Sequence, residues 1–287
     1  MFCDLHADTP TRLFTKTKPV GVSLEVIHSL KEPFLQIFAI WHDPKHPDRS
    51  DAVLDAFLSR LDGFCLVTDS VPTAASPYAM LAIEGGDMLQ KDLSRLDVYF
   101  QKGVRFLTLV WNGENDLGGG HDTALGLTSF GKSVLCRMKE LGMVADLSHA
   151  NEKTFFAVAE QGGRLFCSHS NARAICNHSR NLTDEQIRAV IQSDGIIGLN
   201  LYPPFVNGKT DGTLWDLLPH IEHICSLGGA KNLAIGSDLD GINCFLNGGT
   251  DSRFFLEMHA ILEKSGFPSQ TVRDILGENF MNKFCNF

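Results

Sequence analysis

Apolar runs of strand length recur along the chain, and segments with helical periodicity separate them. Phe2–His6, Phe34–Ile40, Tyr78–Ile83, Val104–Val110, Met143–Leu147, Leu165–Cys167, Ile196–Leu199 and Leu233–Gly236 read as strands. Several are too apolar to leave one face in water, which favours parallel strands covered on both sides. Apolar positions at helical spacing predict helices over Asp51–Asp62, Leu89–Gln101, Ser129–Leu141, Glu152–Glu160, Thr183–Ser193, Leu214–Leu227, Thr250–Ser265 and Ser269–Phe280. The clearest boundaries lie in LTDEQIRAVIQSDG, with Thr183 as N-cap, Gln186 three residues on and Gly195 past the end. Eight strands alternating with helices in 287 residues is the count of a (β/α)8 TIM barrel, a single α/β domain over 1–287. A doubly wound sheet would gather its functional residues at one reversal of strand order. Here the polar candidates follow strands spread along the whole chain. Two polar loops, WHDPKHPDR from Trp41 to Arg49 and GGGHDTALGLTSFG from Gly118, fall on the same end.

Charge and cysteine content narrow the partners. The formal net charge is -9, with Lys and Arg scattered, so neither a nucleic-acid footprint nor a basic membrane-binding face is present. Eight cysteines include no CxxC pair, and Cys3, Cys65, Cys167 and Cys225 sit in apolar segments where a free thiol acts as a small hydrophobe. There is no run of 18 apolar residues and no basic, apolar leader, so a cytoplasmic location is the expectation. A small-molecule substrate fits this profile.

The chain opens MFCDLHADTP. Period-2 alternation puts Phe2, Asp4, His6 and Asp8 on one side, so an imidazole and a carboxylate reach one point beyond the strand end. Glu84 follows YAMLAI, Asp146 and His149 lie in MVADLSH, His169 in LFCSHS, and Asp238 and Asp240 in LAIGSDLDG. A parallel barrel carries all of them to its C-terminal rim. A lone strand-end histidine is usually just solvated or hydrogen-bonded, and Glu-Gly-Gly alone is a turn. Coincidence at five strand ends is the stronger signal. Imidazoles with carboxylates and no thiolate suit Zn²⁺ or a similar divalent ion. His6, Asp8, Glu84, His149 and His169 exceed the three protein ligands usual for one catalytic zinc, and two metals bridged by Glu84 account for all five. Such a pair can hold a hydroxide and polarise a carbonyl at once. A carboxylate beside two cations keeps its charged form. Asp238 is therefore placed to take the proton of an attacking water and hand it to a leaving amine. Asp240 either orients its loop or forms a simple Asx-turn.

These residues, with DLHADT, EGG, GVRFLTL, DLSH, CSHSNA, SRNLTDEQ, GSDLDG and GENF in order, resemble the zinc dipeptidases of the renal, or membrane, dipeptidase family in the amidohydrolase superfamily. The resemblance spans nearly the whole chain. It implies a distorted TIM barrel in which His6 and Asp8 hold one zinc, His149 and His169 the other, and Glu84 bridges and shares in catalysis. It implies Asp238 as acid/base, Arg180 as anchor for a peptide carboxylate, Tyr202 in the substrate pocket, and a homodimer. Dipeptides, some with a C-terminal D-residue, are the implied substrates. An Arg before an N-cap gains nothing from the helix dipole, and its planar fork suits a carboxylate. One departure stands out: Trp111 occupies the place of a substrate-binding histidine of the mammalian members. Asn112 or Asn115 is then the candidate donor. This departure keeps a second reading open, a binuclear amidohydrolase acting on an acylated amino acid, cyclic amide or lactone. A catalytically inactive binding protein is a third, and the full ligand set argues against it.

Overall fold

A computed structural model describes residues 1–15, 21–41, 43–46, 49–61, 63–70 and 77–285. Among these are nine parallel strands: β1 (Phe2–Ala7), β2 (Phe34–Trp41), β3 (Cys65–Leu66), β4 (Tyr78–Glu84), β5 (Val104–Thr108), β6 (Val144–Asp146), β7 (Phe166–Cys167), β8 (Ile196–Leu199) and β9 (Leu233–Ile235). Their order is β2-β1-β9-β8-β7-β6-β5-β4-β3, and an additional β2–β4 pairing closes eight of them into a ring. β3 pairs only with the start of β4, outside that ring. The chain is thus a (β/α)8 barrel with one short strand that the sequence pattern did not reveal, two residues being too few to show a period.

Alternation along each strand divides the core in two. Leu35, Ile37 and Ala39 of β2, Tyr78, Met80 and Ala82 of β4, and Phe106 and Phe166 fill the barrel together with Phe280 and Phe284 of the C-terminal helix. Phe38, Ile40, Leu81, Ile83 and Leu107 face the surrounding helices. Continuing the inward set by two residues brings Trp41 and Glu84 to the mouth. β1 breaks the rule. Cys3 and Leu5 belong to the barrel filling, so strict alternation would send His6 outward; the register shifts between Asp4 and Ala7, and His6 joins the mouth instead. Asp4 turns to Ser237, accepting from its Oγ at 2.6 Å. The shared face expected for Asp4 and His6 is therefore not kept.

Helices Ser129–Leu141 and Asp184–Gln192 form where their periodicity places them, the second with Thr183 and Gln186 in a capping box. The expected helix over Leu89–Gln101 is a 3-10 turn, Gly86–Leu89, followed by a helix only from Arg95. Positive φ at Gln90 and Lys91 and the Asp92 carboxylate, accepting from the N–H and hydroxyl of Ser94, interrupt it. The segment Ser269–Phe280 becomes Ser269–Arg273, a π-helical turn Asp274–Glu278 and Asn279–Phe284. At the turn Gly277 lies so close to the chain start that a Cβ would sit 2.3 Å from the Met1 carbonyl. Asp51–Asp62 runs as Arg49–Leu58; Asp62 lies outside the described residues, as do His42, Pro47 and Asp48 of the Trp41–Arg49 loop. All eight cysteines are free. Among the described residues no helix is long and apolar enough to cross a membrane.

Candidate metal centre

Five polar groups meet at the strand ends. Glu84 Oε1 lies 3.0 Å from His149 Nε2 and 3.7 Å from His169 Nε2, and those two nitrogens are 2.9 Å apart. Glu84 Oε2 faces the other way, 3.5 Å from His6 Nε2, which is itself 3.5 Å from Asp8 Oδ2. One carboxylate thus addresses two groups of donors, one oxygen each. All five side chains are buried. His149, Asp238 and Asp240 have positive φ, at 69°, 63° and 67°, a conformation costly for non-glycine residues and typical of functional turns.

Burial sets the proton affinities here, and neighbouring charges modify them. It drives the His149 imidazole down to about 3, with the Arg180 cation adding to the effect. His169 is lowered in the same sense by burial, then by His6 and Arg180. Burial pushes the Asp8 carboxyl up to about 7, with Glu84 adding and His6 opposing. For His6 and Glu84 burial is overcome: Glu84 raises the proton affinity of His6, and His6 and His149 hold the Glu84 carboxyl far below its usual range. His6 Nε2 and Asp8 Oδ1 are buried with no hydrogen-bond partner, an arrangement that costs free energy unless another group binds them. Imidazoles and carboxylates meeting in this way, with no thiolate among them, fit divalent cations, whose charge would take the place of the proton that Glu84 favours on His6.

Asp146 and Asn112, together with Thr108, Ser148 and Ser168, which pattern reading did not single out, hold the rings. Asp146 accepts from Ser168 Oγ at 2.5 Å, from Thr108 Oγ1 at 2.8 Å and from the backbone N–H groups of Ser148 and Ser168. With its hydrogen committed to Asp146, Ser168 Oγ accepts from His169 Nδ1 at 2.7 Å, leaving Nε2 to face the centre. Asn112 Oδ1 lies 2.8 Å from His149 Nδ1 and 2.9 Å from His121 Nε2, and does the same for His149. For Ser148 and Ser168 the only signal in sequence is position beside a strand-end histidine.

Of the expected substrate residues, Trp111, Asn112 and Tyr202 line a cleft of about 590 Å³ with Phe205 and Asp238, and Glu84 and His149 also reach it; Arg180 is not among its lining residues. Asn200 Nδ2 donates to Asp238 Oδ2 at 2.9 Å; burial, then Glu84, raises this carboxyl to about 6 against the pull of His6. Arg180 is buried, donating to the His169 carbonyl at 2.8 Å and to Ser170 Oγ at 3.0 Å, while its Nε has no partner. Among the described residues no carboxylate pairs with this guanidinium. Tyr202 donates to Asn243 Oδ1 at 3.2 Å. Trp111 packs against Trp41 with ring centroids 5.2 Å apart. Asn115 is spent on its own loop, donating to the Leu109 carbonyl and accepting from the N–H groups of Leu117 and Gly118. Asp240 orients its surroundings, accepting from Thr9 Oγ1 at 2.7 Å and from Gly21 N at 3.0 Å.

The sequence profile of the membrane dipeptidase family, peptidase family M19, matches residues 73–284. The chain belongs to this family. An uncharacterised Klebsiella pneumoniae protein from a pqqA 5′ region is 35% identical over 178 residues, covering 57% of this chain and 66% of its own. An uncharacterised dipeptidase of Schizosaccharomyces pombe is 30% identical over 210 residues, or 71% of this chain and 51% of its own. The chain therefore spans about half to two-thirds of the length of these curated relatives. A crystal structure of a Rhodobacter sphaeroides metallopeptidase, liganded with a phosphinate mimic of the dipeptide L-Ala-D-Ala, matches the fold with a TM-score of 0.90. That match covers 99% of this chain and 98% of that one at 23% identity, a likeness of fold. In this membrane dipeptidase family member the matched span holds Glu84, His149, His169, Arg180 and Asp238; His6 and Asp8 precede it, and the structure places His6 beside Glu84 and Asp8 beside His6.

Proposed function

We propose that the chain is a zinc dipeptidase that hydrolyses small dipeptides, including those with a C-terminal D-residue. The observation that carries this reading is the Glu84 carboxylate at the centre of one buried cluster, with Oε1 toward His149 and His169 and Oε2 toward His6, which adjoins Asp8. His6 and Asp8 would hold one Zn²⁺, His149 and His169 the other, with Glu84 shared. A bound metal pair supplies Lewis acidity, polarising a carbonyl and lowering the pKa of water. Arg180 binds the peptide carboxylate: a buried guanidinium without a carboxylate partner is costly alone and well matched to an anionic ligand. Asp238, held through Oδ2 by Asn200, takes a proton from the attacking water at Oδ1 and passes it to the leaving amine. Tyr202 and Trp111 wall the cleft and exclude bulk water, and Asn112 orients His149. The mimic held by the Rhodobacter relative supports a dipeptide with a C-terminal D-residue. A cytoplasmic homodimer completes the proposal, and light scattering measures its oligomeric state.

Trp111 on the cleft wall, in place of a polar donor, favours one second reading: an acylated amino acid, cyclic amide or lactone as substrate for the same centre. Turnover of a dipeptide library with L and D C-terminal residues, after zinc reconstitution and beside N-acyl amino acids and lactones, separates the two. Hydrolysis confined to the non-peptide set would overturn the dipeptidase reading.

A further inference from the structure

The barrel fixes which way a dipeptide lies, and this points to a side-chain subsite built by Trp41. The inference rests on the dipeptidase reading and deepens it. Around the closed ring β1-β2-β4-β5-β6-β7-β8-β9, β2 stands opposite β7. Arg180 is tied to the β7 side through the His169 carbonyl and Ser170 Oγ. Trp41 ends β2 on the far side, its backbone carbonyl pinned by Thr11 Oγ1 at 2.7 Å. Its ring packs on Trp111, which follows β5, with centroids 5.2 Å apart and planes tilted by 57°. Both indoles line the cleft that also reaches Asp8, Glu84, His149 and Asp238. A dipeptide with its carboxylate on Arg180 and its peptide carbonyl over Glu84 must therefore project its N-terminal residue toward the tryptophans.

We propose that Trp41 and Trp111 form the subsite for the N-terminal side chain and select dipeptides whose first residue is aromatic or large and apolar. Indoles offer broad, rigid faces that such side chains bury against, and a glycine or alanine leaves those faces in water. Trp41 determines specificity; the acid/base and metal-binding groups lie elsewhere.

The test compares kcat/KM of the zinc-loaded protein for Phe-Ala against Gly-Ala, which differ at the N-terminal residue, and for Ala-Phe against Ala-Gly, which differ at the C-terminal one. Wild type should prefer Phe-Ala over Gly-Ala by about tenfold or more, the scale of a filled apolar subsite. Trp41→Leu should cut that ratio several-fold and leave the Ala-Phe to Ala-Gly ratio in place, and Trp41→Phe, which keeps a flat ring, should restore it. An N-terminal ratio unmoved by Trp41→Leu, a change confined to the C-terminal ratio, or equal loss in Trp41→Phe overturns the subsite. Should no dipeptide be turned over, the dipeptidase reading falls and tryptophan emission decides the subsite by binding. Tighter binding of Phe-Ala than Gly-Ala, lost in Trp41→Leu, upholds it; equal Kd values overturn it.

Discussion

At Glu84 a single carboxylate faces two neighbourhoods, so its charge matters as much as its shape. Glu84→Gln preserves volume and removes half the ligand character. Metal analysis of that variant should show reduced metal content, and most turnover should disappear; full occupancy with a normal rate would remove the bridge. Asp238 and Arg180 should separate chemistry from binding. Asp238→Asn should leave metals bound and lower kcat by about 100-fold or more, the scale of a lost general acid/base. Arg180→Ala should act mainly through KM, at a cost of about 2–5 kcal/mol, the range for truncating one side of a buried charge pair. Its effect should shrink for substrates with a blocked carboxylate. Equal losses on free and blocked dipeptides would make Arg180 structural.

Among the elements, the joints between neighbouring strands matter more than the helices. β6 ends in Asp146 and Ser168 directly follows β7, and their hydrogen bonds run on to His169 Nδ1. β8 and the residue after β9 come close to this joint: a Cβ on Gly198 or Gly236 would lie 1.9 or 1.8 Å from the Ser168 carbonyl. Glycine is required there by space. Ser168→Ala removes the acceptor that orients His169 and leaves the backbone joint intact. Zinc affinity measured by competition with a chelating dye should fall about 10–100-fold, the usual cost of losing a partner behind a metal-binding histidine. Ser168→Thr, which keeps the hydroxyl, should recover it. Unchanged affinity in Ser168→Ala would mean that His169 is held by packing alone.

For the whole molecule, the metal centre and the fold share their free energy. The donors come from β1, β4 and the segments after β6 and β7, so one bound cluster ties distant parts of the ring together. Ligands that bind only the folded state stabilise it by mass action, about 2.7 kcal/mol at a hundredfold excess over Kd. Chelation should therefore lower Tm, and adding Zn²⁺ back should raise it in a concentration-dependent way. A melt indifferent to both would show that the five groups do not form a metal site.

Much of this was legible before any tertiary contact. Eight apolar strand runs, a capping box at Thr183 and strand-end positions for Glu84, His149, His169 and Asp238 follow from local pattern, because strand and helix periods and caps are written over a few neighbouring residues. The topology of a parallel barrel then carries strand ends to one rim. What remained depended on long-range contact. The turn of His6 into the mouth needs the register shift in β1, and Asp4 leaves that side to meet Ser237, 233 residues away in the chain. Ser168 becomes the acceptor for His169 only because Asp146 of the adjacent strand takes its hydrogen. Trp41 meets Trp111 only because the β2–β4 pairing closes the ring. Such features were hidden because a residue's partner across the barrel leaves no period in the sequence; only closure of the sheet sets who faces whom.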